Sequence, residues 1–139
     1  MTTGIVFSDA TRLAELIRTR QVSPVEVVQT AERLRDGYAD YFRRYDALIT
    51  PVLPIPAHKH GITEFVINGQ TVDATYLQGA TVPLNVTGLP GLSMRFGTSG
   101  EGLPINVQVV GSWQAESTIL YVAALLEALS PVRGLRPSL

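Results

Sequence analysis

Hydrophobic positions along this chain fall first at helical spacing and later in alternation. Ser8 or Asp9 can cap a first helix whose apolar positions Leu13, Leu16 and Ile17 share one side. Arg18-Thr19-Arg20-Gln21 then breaks the apolar pattern. Ser23-Pro24-Val25-Glu26 reads as a second helix start: serine caps, proline takes the first helical position, and Glu26 completes a capping box. The helix that follows is expected to bury Val27, Val28, Ala31 and Leu34. Gly37 marks either its end or a weak point in a longer helix. Beyond it Tyr38, Tyr41, Phe42 and Tyr45 recur at helical spacing, with Arg43 and Arg44 on the other side. Such an aromatic stripe predicts a packed core face rather than a platform for a ligand.

Ala47-Leu48-Ile49-Thr50 reads as a short buried strand. Pro51, Pro54 and Pro56 force the next stretch into an extended path. Phe65-Val66-Ile67 and Gln70-Thr71-Val72 flank Asn68-Gly69, the preferred centre of a type I′ turn, so a small hairpin is expected. Residues 74–87 are ambiguous and permit a helix ending near Gly88. Two strands follow, Leu92 to Phe96 and Leu103 to Val110, joined by the turn-rich residues 97–102. In the second, Ile105, Val107 and Val109 alternate with Asn106 and Gln108; in the first, Leu92, Met94 and Phe96 alternate with Ser93 and Arg95. A last helix is expected from about Ala115 to Leu129, with Ile119, Ala123 and Leu126 on one side and Pro131 as its stop.

Composition narrows the choice of function. The chain has 139 residues, 45% of them apolar, which suits one domain with a real core. Eleven basic and 12 acidic residues leave a net charge of −1, so there is no electrostatic footprint for nucleic acid or an anionic membrane. The absence of cysteine excludes disulfides, thiol catalysis and zinc–thiolate sites. Met1 to Asp9 has no basic segment followed by an apolar run, and no stretch approaches the roughly 20 apolar residues of a membrane span. A cytoplasmic protein is the expectation.

Residues 45–129 resemble the C-terminal part of the amidase-signature family. The stretches that carry the likeness are Tyr45-Asp46-Ala47-Leu48-Ile49-Thr50-Pro51, the run from Pro83 to Ser93 (PLNVTGLPGLS), the run from Gly102 to Gly111 (GLPINVQVVG), and the closing helix. Residues 10–34 resemble the family's N-terminal helical pair. The resemblance implies one truncated amidase-like domain over residues 1–139. Residues 1–36 would be an N-terminal helical segment and 37–139 a C-terminal amidase-like segment, meeting near Leu34 to Gly37. It implies carbon–nitrogen amide hydrolysis as the ancestral chemistry. In the family that chemistry belongs to a serine, a second serine in a cis peptide, and a lysine, because a serine hydroxyl needs a base to take its proton and backbone donors to meet the oxyanion. This chain has no Gly-Gly-Ser-Ser-Gly run, and its only lysine, Lys59, lies in the proline-rich stretch. No catalytic residue can be carried over. Family members often have proline where Arg95 stands and glycine where Asn106 stands. Both positions are polar here and share a face with Gln108, so that face is expected to tolerate water.

Other chemistry is weaker. His58-Lys59-His60 could chelate from an extended strand, but a metal site needs three or four ligands and no acidic pair sits at a diagnostic spacing. Lys59 could activate Ser93, Ser99 or Ser112 only if buried, and beside two histidines and several prolines a solvated lysine is expected. Residues 97–102 resemble a phosphate loop only in glycine content. Asp46 reads as a surface residue and Trp113 as a packing or interface residue.

The expected fold is mixed α/β. A small mixed or antiparallel sheet packs against the N-terminal helices and the last helix, as a fragment of the amidase-signature fold. No catalytic, cofactor or metal residues are assigned. A piece cut from a layered fold leaves an apolar face uncovered. The expected partner is therefore a second copy or another protein that covers the open sheet face. Three functional readings stand: an inactive amidase remnant, a non-catalytic binding or oligomerisation module, and a hydrolase active only with a partner chain or through a substitute site.

Overall fold

The structure is a computed structural model that describes Ile5 and residues 8–136. The chain opens with two helices, α1 (Ala10–Arg18) and α2 (Pro24–Phe42). Asp9 caps α1 by accepting from the Arg12 N–H at 2.7 Å. Leu13, Leu16 and Ile17 lie half-buried along it. The capping box at α2 is complete. The Glu26 N–H donates to Ser23 Oγ at 3.1 Å, and the Ser23 N–H donates to the Glu26 carboxylate at 2.8 Å. These bonds stabilise the charged form and hold the Glu26 carboxyl below its ordinary pKa.

Helix α2 runs without a break through Gly37, which removes the helix end as a reading of that glycine. Val27, Ala31 and Leu34 are half-buried, but Val28 is 56% exposed, contrary to the sequence pattern. The fully buried residue of this helix is Thr30, whose hydroxyl donates to the Glu26 carbonyl at 2.7 Å. The aromatic stripe packs largely on itself. Tyr41 meets Phe42 edge-on at 5.2 Å and Tyr45 at 4.7 Å. Tyr38, Tyr41 and Phe42 are half-buried and Tyr45 is exposed. The stripe is therefore a partly wet ledge rather than core.

Strand β1 (Leu48–Pro51) starts one residue later than its apolar run suggests. It lies at the edge of a three-stranded sheet, and Ile49 is 50% exposed, so it is not a buried strand. Proline ends it where an edge strand tolerates the missing N–H. β2 (Glu64–Ile67) and β3 (Gln70–Asp73) form a separate antiparallel hairpin. Asn68 and Gly69 both have positive φ, 50° and 78°, as a type I′ turn demands. The ambiguous stretch forms two short helices, α3 (Ala74–Leu77) and α4 (Val82–Thr87). Asp73 caps the first, and Gly88, at φ 72°, ends the second in the left-handed region.

β4 (Gly91–Thr98) and β5 (Pro104–Val110) pair antiparallel, and β5 is central in the order β1-β5-β4. Met94 faces Val107 and Leu92 faces Val109, so these apolar positions share one side. Helix α5 (Glu116–Leu129) covers that side with Ile119 and Ala123 buried. On the opposite side Ser93 faces Gln108 and Arg95 faces Asn106. The α3–α4 connection covers one end of this side. Leu84 approaches Gly91 so closely that a Cβ there would lie 2.8 Å from the Leu84 Cδ1. Gln108 is consequently buried, while Asn106 stays exposed and Arg95 half-buried. Water tolerance thus holds at the far end of the face and fails at the near end.

α2 packs on α4, so it forms an outer layer rather than covering the sheet directly. The fully buried apolar residues among those described are Phe65, Leu77, Val109, Val110, Ile119 and Ala123. That core is small for a chain of this length.

Gly111 is buried where β5 turns into α5, and a Cβ there would stand 2.6 Å from Ile119 Cγ2 and 3.3 Å from Ala115 Cβ. Gly111→Ala is expected to cost about 1–3 kcal/mol by overpacking, read as a lower urea midpoint. At the other end, Ser23→Ala is expected to cost about 1 kcal/mol by loss of the cap. The depressed Glu26 pKa gives stability that is present above the unfolded-state value and is lost as pH falls through the folded one. Glu26→Gln is therefore expected to flatten the acid limb of a stability–pH profile and leave its neutral limb with the same slope.

Candidate functional site

Each candidate from the sequence can be placed. Lys59 stands exposed on the loop between β1 and β2, with exposed His58 and His60 on either side. His58 packs edge-on against Phe65, 4.6 Å between ring centres, which gives that imidazole a structural contact. Among the described residues, no group of three or more His, Cys, Asp or Glu side chains is placed to hold a metal ion. Ser93 Oγ accepts from the Asn106 side-chain amide at 3.1 Å, and Ser99 Oγ accepts from the Leu103 N–H at 3.1 Å. Neither hydroxyl is bonded to Lys59. Ser99 closes the turn of residues 97–102, which joins two strands and has no helix N-terminus for a phosphate.

Ser112 and Trp113 stand apart from Lys59, at a cleft of about 470 Å³ beside α2. Arg35, Ala39 and Phe42 line it from α2, and Thr87 and Leu89 line it from the end of α4. Three segments meet there because Gly88 has no side chain. A Cβ at Gly88 would lie 3.6 Å from the Trp113 indole nitrogen and 3.9 Å from an Arg35 guanidinium nitrogen. Arg35 Nε–H donates to the Thr87 carbonyl at 3.1 Å and satisfies one of the carbonyls left open at the end of α4. This bond ties the outer helix to the layer beneath it. On the far edge of α2, burial pushes the Tyr38 phenol above its ordinary pKa, so it stays neutral.

The cleft can hold an apolar or aromatic group against Phe42 and Trp113, with the Arg35 cation at its rim. It has no hydroxyl paired with a base. A second hollow, about 650 Å³, lies between the proline-rich loop and α3 and is lined by Leu53, Pro54, Tyr76 and Leu77. It is apolar and holds neither Lys59 nor a serine. The sequence pattern indicates neither hollow, since each is assembled from segments far apart in the chain.

The Amidase family model matches residues 13–120. Fatty acid amide hydrolase of Medicago truncatula is 37% identical over 112 residues, taking in 76% of this chain and 18% of that protein. A glutamyl-tRNA(Gln) amidotransferase subunit of Bartonella bacilliformis is 42% identical over 83 residues, 59% of this chain and 16% of its own length. The crystal structure of an amidase superposes with a TM-score of 0.72 at 26% identity, over 88% of this chain and 29% of that one. The chain thus spans under a fifth of the length of these curated relatives. Because 112 aligned positions fill 76% of the chain, the match to the Medicago protein leaves almost no room for insertions.

Arg35→Ala is expected to loosen α2 from α4 and to cost about 1 kcal/mol, reduced from the usual value of a charged hydrogen bond by the exposure of its side chain. Hydrogen exchange would show it as faster exchange in α2 with exchange in β5 unchanged.

Proposed function

Since this chain belongs to the amidase family, we propose that it is a segment of an amide-bond hydrolase that does not hydrolyse amides by itself. The observation that carries this reading is the position of Lys59. The family's mechanism needs a lysine joined to serine hydroxyls, and the chain's sole lysine is exposed on a loop, without a hydrogen bond to Ser93, Ser99 or Ser112. No two serines are adjacent in the sequence, so the family's Gly/Ser-rich signature has no counterpart within these residues. A substitute site would need a nucleophile held by a base. Ser93 and Ser99 are instead held by an amide and a backbone N–H.

Residues 1–139 act in this reading as one amidase-like unit. The likeness of residues 10–34 to the family's N-terminal helices suggests two ends joined at 36 and 37. Two observations favour a single continuous stretch of the family's C-terminal part instead. α2 crosses that point as one helix, and the match to the Medicago protein is almost free of insertions. In either case the catalytic groups lie outside this sequence, and activity requires that another segment supply them. The relatives, an amide hydrolase and an amidotransferase, favour an amide carbon–nitrogen bond as the substrate class.

Ammonia release from a panel of aliphatic, aromatic and amino-acid amides tests this. The purified chain is expected to give no turnover above buffer. Turnover that persists in Lys59→Ala, in protein free of host amidase, would mean a site elsewhere in the chain. Turnover abolished by Lys59→Ala would mean a rebuilt serine–lysine site, and either result contradicts the proposal.

A further inference from the structure

Helix α5 is apolar on all sides. Ile119 and Ala123 face the sheet and are buried, yet Leu120, Tyr121, Leu125 and Leu129 on the outside are 58%, 67%, 51% and 76% exposed. Ala124 and Ala128 lie among them, also exposed. Glu116 and Glu127 are the only charged residues in its 14 positions. A helix with this pattern belongs inside a larger body. Leu135, also exposed, lies beside the same helix and extends the patch.

The chain as a whole is short of cover. It exposes 9970 Å², against about 7,100 Å² for a compact monomer of 15.1 kDa. The difference exceeds the roughly 800 Å² per partner that a standard interface removes. A membrane surface fits poorly, because α5 has no basic residue to flank its apolar side.

A second copy of the chain fits on charge. Glu116 and Glu127 are eleven residues apart, about three turns, and so share one edge of α5. Arg133 and Arg136 lie beside that edge, lining the same hollow as Glu127. The ion pairs among the described residues, Arg12 with Glu15 and Arg43 with Asp40, use none of these four groups. An edge that carries both signs is complementary to itself under a two-fold axis. We infer that the outer face of α5 is the interface of a two-fold homodimer, in which two copies of α5 cross antiparallel near residues 121–125. Ala124 and Ala128 let the helices approach, Tyr121 and Leu125 pack over them, and the glutamates of one copy meet the arginines of the other. This inference stands on α5 alone and is independent of whether the chain hydrolyses amides.

Sedimentation equilibrium of the full chain at about 10 μM tests it. The expected mass is twice 15.1 kDa. A monomer would overturn the inference and leave the face to a different polypeptide. Leu125→Glu adds charge at a half-exposed position and is expected to weaken dimerisation at least tenfold with unchanged far-ultraviolet circular dichroism; a dimer of unchanged affinity would overturn the inference. Cross-linking gives a measurement that does not depend on how that variant folds. The chain has no cysteine, so Tyr121→Cys, Ala124→Cys and Leu125→Cys each introduce a single thiol. At least one of them is expected to form an intermolecular disulfide on mild oxidation, whereas Ser99→Cys at the β4–β5 turn is not. Failure of all three, or equal cross-linking through residue 99, would overturn the inference.

Discussion

Gln108 carries its amide into the seam between the sheet and the helical layer, and the arrangement of the chain follows from how that amide is satisfied. Its Nε2 donates to Thr50 Oγ1 at 3.2 Å, across to β1, and to the Ala80 carbonyl at 3.0 Å, in the turn before α4. The side chain is 5% exposed, and an unpaired amide at that depth would cost about 1–3 kcal/mol. The pairing therefore fixes the α3–α4 connection against this side of the sheet. Gly91 then lets Leu84 close on the strand, Gly88 turns the chain at the end of α4, and Arg35 brings α2 onto α4 through the Thr87 carbonyl. On the reverse side Val109, with no exposed surface, lies under α5. β5 thus serves both layers, and losing its register would unseat both.

Local chemistry made much of this legible in the sequence. Ser23 and Glu26 announce a helix start because each side chain needs only the other's backbone three residues away. Asn68-Gly69 announces its turn because few other pairs adopt two positive φ angles in succession. The alternation from Ile105 to Val109 shows because β5 is central and is covered differently on its two sides. The misreadings arise where distant segments decide burial. Val28 belongs to an apolar pattern, but α2 packs on α4 and leaves it in solvent. The apolar run from Ala47 to Ile49 forms an edge strand, since no described strand pairs beyond β1. Residues 74–87 could not be read because Gln78 to Thr81 interrupts two helices too short to show a period. The Gln108 seam and the cleft at Gly88 had no local signature, because each joins residues far apart in sequence.

The same layers explain why a chain with amidase-family residues and an amidase-like backbone can lack the family's chemistry. The residues within its match to the family build strands, turns and helix packing: Thr50 and Gln108 in the seam, Gly88 and Gly91 at close approaches, Gly111 under α5. Those are structural duties. The nucleophile, its base and its oxyanion donors are a separate set, and Ser23, Ser93 and Ser99 serve as cap, strand contact and turn acceptor. A small core, apolar side chains around all of α5 and an excess of exposed area are the properties of a layer that has lost, or not yet met, its cover.

If the chain lacks the family's chemistry, none of its serines is activated. A fluorophosphonate probe tests this directly, since it phosphonylates serines whose hydroxyl has a base and an oxyanion site. Intact-protein mass spectrometry after incubation should show the unmodified chain alone. A single stoichiometric adduct, mapped by peptide digestion to one serine and absent from the heat-denatured protein, would contradict it.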